Sequence, residues 1–457
     1  MSKYIGIFVF VFSLFSLGVH AGESFRFRVY LKDKGDSGYT LDNPEEYLSK
    51  ESVERRNRQG ISVSESDLPI AQAYLDTLSA NGGKPVLESK WFSTVVVSSP
   101  DSLVAERLSR LPIVDSVKWV WKGDEEIDIP REEKDTTRFM PIDKPEKSPY
   151  GYAEEQIKML NGIKLHEAGF KGEGMRVAVV DAGFMNVDRI SVFDSLRLLG
   201  THNVVFPGRS VFIGDDHGTK VLSCLAADAP GLMVGTAPQA EYWLIKSEDS
   251  RSEFPIEEDY WTAAMEFADS VGVDVVNTSL GYYEFDDKTC NYRYRDLDGH
   301  YSLMSHSASM AADKGLVVVC SAGNSGRGTW KKLTPPGDAE NVITVGAMDK
   351  NLVNADFSSV GNTADGRVKP DVMAVGVSSA VAGNDGTVSR ANGTSFASPT
   401  FCGLVACFWQ ACPWLTAKEV IEAVRRSADR ADAPDNIYGY GVSNIWKAYQ
   451  TELKKRK

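Results

Sequence analysis

Three short segments carry side chains that could do covalent chemistry together. In Val177-Ala178-Val179-Val180-Asp181-Ala182-Gly183 a buried-strand run ends on a carboxylate, and the glycine lets the chain turn at once. In Asp215-Asp216-His217-Gly218-Thr219 an imidazole opens a helical run beside two acids. In Asn392-Gly393-Thr394-Ser395-Phe396-Ala397-Ser398-Pro399 a serine opens an apolar helix, in the positive field of its first turn and beside backbone N–H groups without helical acceptors. Each alone has a plain structural use, since Asp and Ser cap helices and turns. Together they are complementary. A hydroxyl is a weak nucleophile until a base takes its proton, and the base needs a buried acid to fix its tautomer and balance its charge. Ser395, His217 and Asp181 are expected to fill those roles. Asp181 is preferred to Asp215 and Asp216 because sequence neighbours rarely bond each other's side chains well. Ser398, just inside the helix before Pro399, suits hydrogen bonding and packing better than attack. A metal at His217 is disfavoured because no second His lies at ligand spacing.

Such a set needs a rigid frame, and the chain from 150 to 457 supplies one. Apolar runs at 175–180, 240–246, 273–277, 316–321 and 342–345 alternate with helical patterns at 217–227, 260–270, 303–314 and 395–410, as a parallel α/β sheet requires. Open sheets of this kind build their sites at the C-terminal ends of strands. Residues 22–122 read as a separate small α+β domain, with strands at 25–31, 93–98 and 114–121 and helices at 67–79 and 102–111. Between them, 123–149 is rich in charge and proline and reads as a linker, open to cleavage. At the start, Lys3 precedes an apolar run over 4–17 and then Val19-His20-Ala21, the pattern of a cleaved export signal over 1–21. That run is shorter than the ~20 residues that span a bilayer. The expectation is an exported protein, secreted, periplasmic or at the cell surface, without a transmembrane segment once the signal is removed.

A net charge of −13 argues against nucleic acid as a partner, because phosphate binding needs a clustered basic face. The six cysteines show no CxxC spacing, so zinc is a poor reading, while three bridges or six buried thiols both fit.

In this set and order the residues resemble the subtilisin-like serine proteases, over most of 150–448. The blocks that carry the resemblance are Val180-Asp181-Ala182-Gly183, His217-Gly218-Thr219, Ser321-Ala322-Gly323-Asn324 and Gly393-Thr394-Ser395-Phe396-Ala397-Ser398-Pro399, in the chain order of that family. Phe357-Ser358-Ser359 with Lys369-Pro370-Asp371-Val372 resembles its stretch before the nucleophile, and Asn277-Thr278-Ser279-Leu280-Gly281 its substrate-binding strand. The resemblance implies an α/β fold with a mostly parallel sheet flanked by helices, preceded by a propeptide-like α+β domain. It implies a secreted serine endopeptidase made as a zymogen, acting on polypeptides. Asn324 would donate its side-chain amide, with the Ser395 N–H, to the oxyanion. Ser279, Leu280 and Gly281, with Ala322 and Gly323, would line the peptide site. The N-terminal segment would serve as intramolecular inhibitor or chaperone. Many relatives bind calcium at loops; no acidic loop here matches a defined site, so no cofactor is assigned and calcium stays open. Two departures stand out: Lys220 where the family often has a second His, and Tyr282-Tyr283 after Gly281 in place of a further glycine. The tyrosines would reshape the cleft, so side-chain preference does not carry over.

Three rival readings remain at this stage. An esterase or acyl transferase could use the same triad, although the Gly-x-Ser-x-Gly elbow is absent. A catalytically silent scaffold could keep the fold. The N-terminal domain could stay bound as a regulatory inhibitor.

Overall fold

The computed structural model describes residues 23–124, 137–140 and 146–456. The expected export signal, and most of the expected linker, lie outside the described residues.

The N-terminal part contains β1 (Glu23–Leu31), α1 (Lys50–Gln59), α2 (Gln72–Ala80), β2 (Lys84–Ser89), β3 (Thr94–Ser99), α3 (Val104–Leu108) and β4 (Val114–Asp124). The strands form an antiparallel sheet in the order β2-β3-β1-β4. The larger part runs α4 (Glu154–Met159), α5 (Gly162–Glu167), β5 (Arg176–Asp181), β6 (Arg197–Asn203), α6 (His217–Ala226), β7 (Asp228–Ala229), β8 (Met233–Val234), β9 (Glu241–Lys246), α7 (Ile256–Ser270), β10 (Val275–Thr278), α8 (Leu303–Asp313), β11 (Val317–Ser321), β12 (Ile343–Met348), β13 (Val372–Val375), β14 (Ser379–Ala382), β15 (Val388–Ala391), α9 (Thr394–Ala411), α10 (Ala417–Ser427) and α11 (Ile445–Arg456). Seven strands form one parallel sheet in the order β13-β12-β11-β10-β5-β9-β6.

Both faces of this sheet are covered, which is why its strands are apolar throughout and not alternating. Val177 and Val179 face a core shared with α6 and α9, while Ala178 and Val180 face a second core shared with α7 and α8. The small sheet lies on the outer side of α7 and α8. Val96, Val120 and Trp121 join Tyr260, Trp261 and Ala264 in that second core, and Phe27, Val29, Val95 and Val97 pack the opposite face against α2 and α3. Helix α7 is therefore buried on both sides, and even its Glu257, Glu258, Asp259, Glu266 and Asp269 are inside.

Asp67, Asp259 and Asp269, buried at that junction, are each paired with a buried cation, which offsets their desolvation. Arg28 grips Asp259 with two bonds of 2.5 and 2.6 Å. Arg56 reaches Asp67 at 2.9 Å and Asp269 at 2.6 Å, Lys314 reaches Asp67 at 2.7 Å, and Arg55 pairs with Asp269. Glu266 accepts the backbone N–H groups of Lys90 and Trp91 at 3.0 and 3.1 Å.

All six cysteines are free thiols, five of them buried. Among the described residues no helix is long and apolar enough to cross a membrane.

Candidate active site

The winding of the large sheet reverses between β5 and β10. From β5 the chain builds β6 and β9 on one side, then crosses to add β10 to β13 on the other. Loops leaving neighbouring strands at such a reversal diverge and open a crevice at the C-terminal edge. Asp181 ends β5, Ser279 follows β10, and Ala322-Gly323-Asn324 follows β11. Helices α6 and α9, packed together on one face, start at this edge with His217 and Thr394-Ser395.

Close approach holds the first pair together. A Cβ at Gly218 would lie 2.4 Å from the Gly183 carbonyl oxygen and 3.0 Å from the Asp181 Cβ, so glycine lets α6 start directly over the end of β5. Asp181 is fully buried, and its Oδ1 accepts the Ala182 N–H at 2.8 Å and His217 Nδ1–H at 2.7 Å. Asp215 instead caps the His217 backbone N–H at 2.8 Å, and Asp216 pairs with Lys220 at 2.8 Å. Burial, the strongest single influence on His217, works against its proton. Asp181 foremost, then Glu248 and Asp215, outweigh that and raise the ring from 6.5 to about 9.

Ser395 lies in the first turn of α9, nearly buried, and its Oγ–H is directed at the Ser279 carbonyl oxygen at 3.4 Å. The Ser279 hydroxyl returns a bond to the Ser395 carbonyl at 3.0 Å, tying the β10 loop to α9. The rings of His217 and the next residue, Phe396, have centroids 6.2 Å apart. No hydrogen bond joins His217 to Ser395 among the described residues; such contacts are often long without substrate and shorten on binding. Ser398 is fully buried and donates to Asn277 Oδ1 at 2.8 Å, the packing role its position suggested.

Asn324 is exposed at the mouth of the crevice. Its Oδ1 accepts the Thr394 N–H at 3.0 Å and the Thr394 hydroxyl at 2.9 Å, which turns its Nδ2–H₂ away from α9's backbone and leaves it free to donate. Gly323 before it has φ +102°, and a Cβ there would lie 2.9 Å from both Ser359 Oγ and Thr334 Oγ1. That conformation and that crowding both require glycine.

Beside His217 opens a cleft of about 360 Å³ lined by Ala182, Asp215, Glu248, Glu253, Tyr282 and the segment Ser279-Leu280-Gly281. Tyr282 is buried in its wall, while Tyr283 stacks on Trp330 with centroids 4.6 Å apart. Glu248 and Glu253 escaped the reading of the sequence. The usable signal was position, since Ser247-Glu248-Asp249 leaves the C-terminal end of β9 at the same sheet edge. Among the described residues no group of three or more His, Cys, Asp or Glu could hold a metal ion, so no step is assigned to one.

A parallel sheet that delivers a buried carboxylate, an imidazole bonded to it and a helix-opening serine to one edge has the architecture of a serine-type hydrolase. A model of the subtilase family (Peptidase S8) matches residues 172–441, and a model of the Peptidase S8 propeptide domain of Bacteroidota matches 26–137. The chain belongs to the subtilase family and is a serine endopeptidase with an N-terminal propeptide domain. It is 31% identical to Subtilisin DY of Bacillus licheniformis over 308 residues, 66% of this chain and 98% of that one. It is 28% identical to Subtilisin NAT of Bacillus subtilis subsp. natto over 405 residues, 88% and 92% of the two chains. Against Subtilisin Savinase of Lederbergia lenta the figures are 28% over 292 residues, 63% and 95%.

Proposed function

We propose that Asp181, His217 and Ser395 form the catalytic triad of an exported endopeptidase made as a zymogen. The observation that carries this reading is the 2.7 Å bond from His217 Nδ1–H to buried Asp181 beside the opening turn of α9. Ser395 Oγ attacks the peptide carbonyl carbon while His217 Nε2 takes its proton, and Asp181 holds the resulting imidazolium. The oxyanion accepts from Asn324 Nδ2–H and the Ser395 N–H, which has no helical acceptor at this depth in α9. Collapse expels the amine, protonated by His217, and leaves an acyl ester on Ser395. A water deprotonated by His217 then hydrolyses the ester. Ser279, Leu280, Gly281, Ala322 and Gly323 bind the peptide in extended form. The chain divides into a signal at 1–21, a propeptide domain at 22–122, a charged linker at 123–149 and a catalytic domain at 150–457. The propeptide domain serves as intramolecular inhibitor or chaperone, and the buried ion pairs at its junction with α7 and α8 support that role.

A fluorophosphonate will label Ser395 in the processed enzyme, and peptide mapping that finds no adduct there sinks the triad in favour of a silent scaffold. Asn324→Ala will lower kcat on peptide substrates about 10²–10³-fold with KM little changed, the usual result of losing one oxyanion donor. An unchanged kcat would remove Asn324 from the site. The free base is the neutral ring, so activity falls as pH drops through the His217 pKa. With that pKa raised to about 9, the acid limb of kcat/KM against pH will lie above 6.5. A limb at 6.5 or lower would mean that Asp181 does not hold the proton on His217.

A further inference from the structure

The cleft beside His217 holds an imbalance of charge that the triad does not use. Glu248 and Glu253 line it together with Asp215, and neither glutamate forms an ion pair among the described residues. Of the cations that act on Glu248, His217 is bonded to Asp181 and Lys246 is likewise committed elsewhere. Lys246 gives its ammonium to the Ala182 carbonyl oxygen, and Arg251 clasps Asp249. Tyr282, which lines the same cleft, is buried, and among the described residues its hydroxyl has no hydrogen-bond partner; burial foremost, then the charges of Glu248, Glu257 and Glu253, hold it well above the usual phenol range. Glu257 is buried too, and its Oε1 is likewise unpaired. Of the two, Tyr282 lines the cleft, and its hydroxyl oxygen can accept a hydrogen bond from a cationic donor that enters it.

Resting on the triad reading, we propose that this cleft is a subsite for a cationic side chain, Lys or Arg, of the bound peptide, with Glu248 and Glu253 as the specificity-determining carboxylates. Ser279-Leu280-Gly281, the segment taken to pair with the peptide, forms one wall of the same cleft. A side chain projecting from the paired strand therefore enters between His217 and Glu248. The long methylene stem packs along Leu280, and the charged head reaches the glutamates. The crowding supports this. Burial first, then Asp181, raises Glu248 to about 7, and burial with Glu248 raises Glu253 to about 8. A cation among them offsets both effects, whereas a neutral guest leaves them in place. An acidic guest adds a further like charge, so the cleft discriminates in both directions.

The test is a set of internally quenched peptides in which each position within four residues of the scissile bond is varied among Lys, Arg, norleucine and Glu. Norleucine keeps the lysine stem without its charge. The processed wild-type enzyme is expected to prefer Lys or Arg over norleucine about tenfold or more in kcat/KM at one position, and to reject Glu there. The preference shrinks in Glu248→Gln and, to a lesser degree, in Glu253→Gln, with fluorophosphonate labelling as the check that each variant's site is formed. It also shrinks in the wild type as salt rises from 0.05 to about 1 M, as a partly exposed ion pair requires. An enzyme that labels and cleaves but prefers no cation at any position overturns this inference and leaves the triad standing. So does a preference that survives both substitutions and high salt. An enzyme that neither labels nor cleaves overturns the triad reading, and this one with it.

Discussion

Ser395→Ala will be recovered with its N-terminal segment still attached, while the wild type, expressed alongside it, will lose the residues before about 150. Intact mass and N-terminal sequencing read the two outcomes directly. The substitution removes one oxygen from a position already close-packed against the Ser279 loop, so folding should survive it. Turnover on peptides should not. Removing the nucleophile in a subtilisin costs about as much as removing the whole triad, on the order of 10⁶ in kcat. By the usual conversion that is roughly 8 kcal/mol of barrier. The residual rate comes from the oxyanion donors and substrate binding, which this variant keeps. Two results would count against the proposal. If both chains keep the segment, the enzyme does not process itself, and the N-terminal domain is a permanent inhibitor or accessory. If both lose it, another protease does the cutting and the zymogen is not self-activating.

The five strands expected in the larger domain all form, within a few residues of the places their apolar runs mark. They were legible because a strand buried on both faces writes an unbroken apolar run, as Val177 to Val180 does. The edge strand β6 was not, since Arg197-Leu198-Leu199-Gly200-Thr201-His202-Asn203 is largely exposed and carries no such run. Helix α1 was missed for a different reason. Lys-Glu-Ser-Val-Glu-Arg-Arg-Asn-Arg-Gln shows almost no apolar periodicity, because the face it buries is made of Ser52, Arg55 and Arg56. A buried face built from paired charges reads in sequence as a solvated one. The helix expected at 260–270 starts earlier, at Ile256, because the fold buries Glu257, Glu258 and Asp259, a charged run without apolar periodicity.

At the site, the expectation that Asp181 and not its sequence neighbours partners His217 agrees with the geometry, for the reason given at the outset. Asp215 and Asp216 are turned to a backbone N–H and to Lys220. The cleft beside it was not foreseen, because Glu248 and Glu253 belong to no motif. What places them together is the strand order, which brings the end of β9 beside the end of β5, and a one-dimensional reading does not contain that adjacency.

Asp269→Ala, introduced into the unprocessed Ser395→Ala chain, will loosen the N-terminal domain from α7 and α8 without unfolding the catalytic sheet. Asp269 is fully buried and balances two guanidinium groups, Arg55 and Arg56, both carried by α1. Removing one partner of such a set leaves buried positive charge uncompensated, a loss of about 3–5 kcal/mol. At about 1.4 kcal/mol per decade, that weakens docking on the order of 10²–10⁴-fold. Arg56 keeps Asp67, but Arg55 keeps mainly carbonyl acceptors, Val273 at 2.6 Å among them. Hydrogen exchange will show the change as faster exchange of the amides of α1, with those of β5 and β10 protected as before. Acid should act on the same junction. Burial alone would raise Asp67, yet Arg56 and Lys314 outweigh it and hold its carboxyl at about 2, below the usual 3.8. A depressed carboxyl stabilises the folded state above the unfolded value, so its contribution is intact at neutral pH and is lost as pH falls from about 4 through 2, and the share of it that bears on docking is the Lys314 pair, since Arg56 lies in the same domain as Asp67. Replacing the whole set Arg55, Arg56 and Asp269 with apolar residues need not weaken docking at all, because it also removes the cost of burying the charges. If Asp269→Ala leaves exchange in α1 unchanged, the apolar face of Val96, Val120 and Trp121 holds the domain by itself. The charges would then contribute only the register in which it docks.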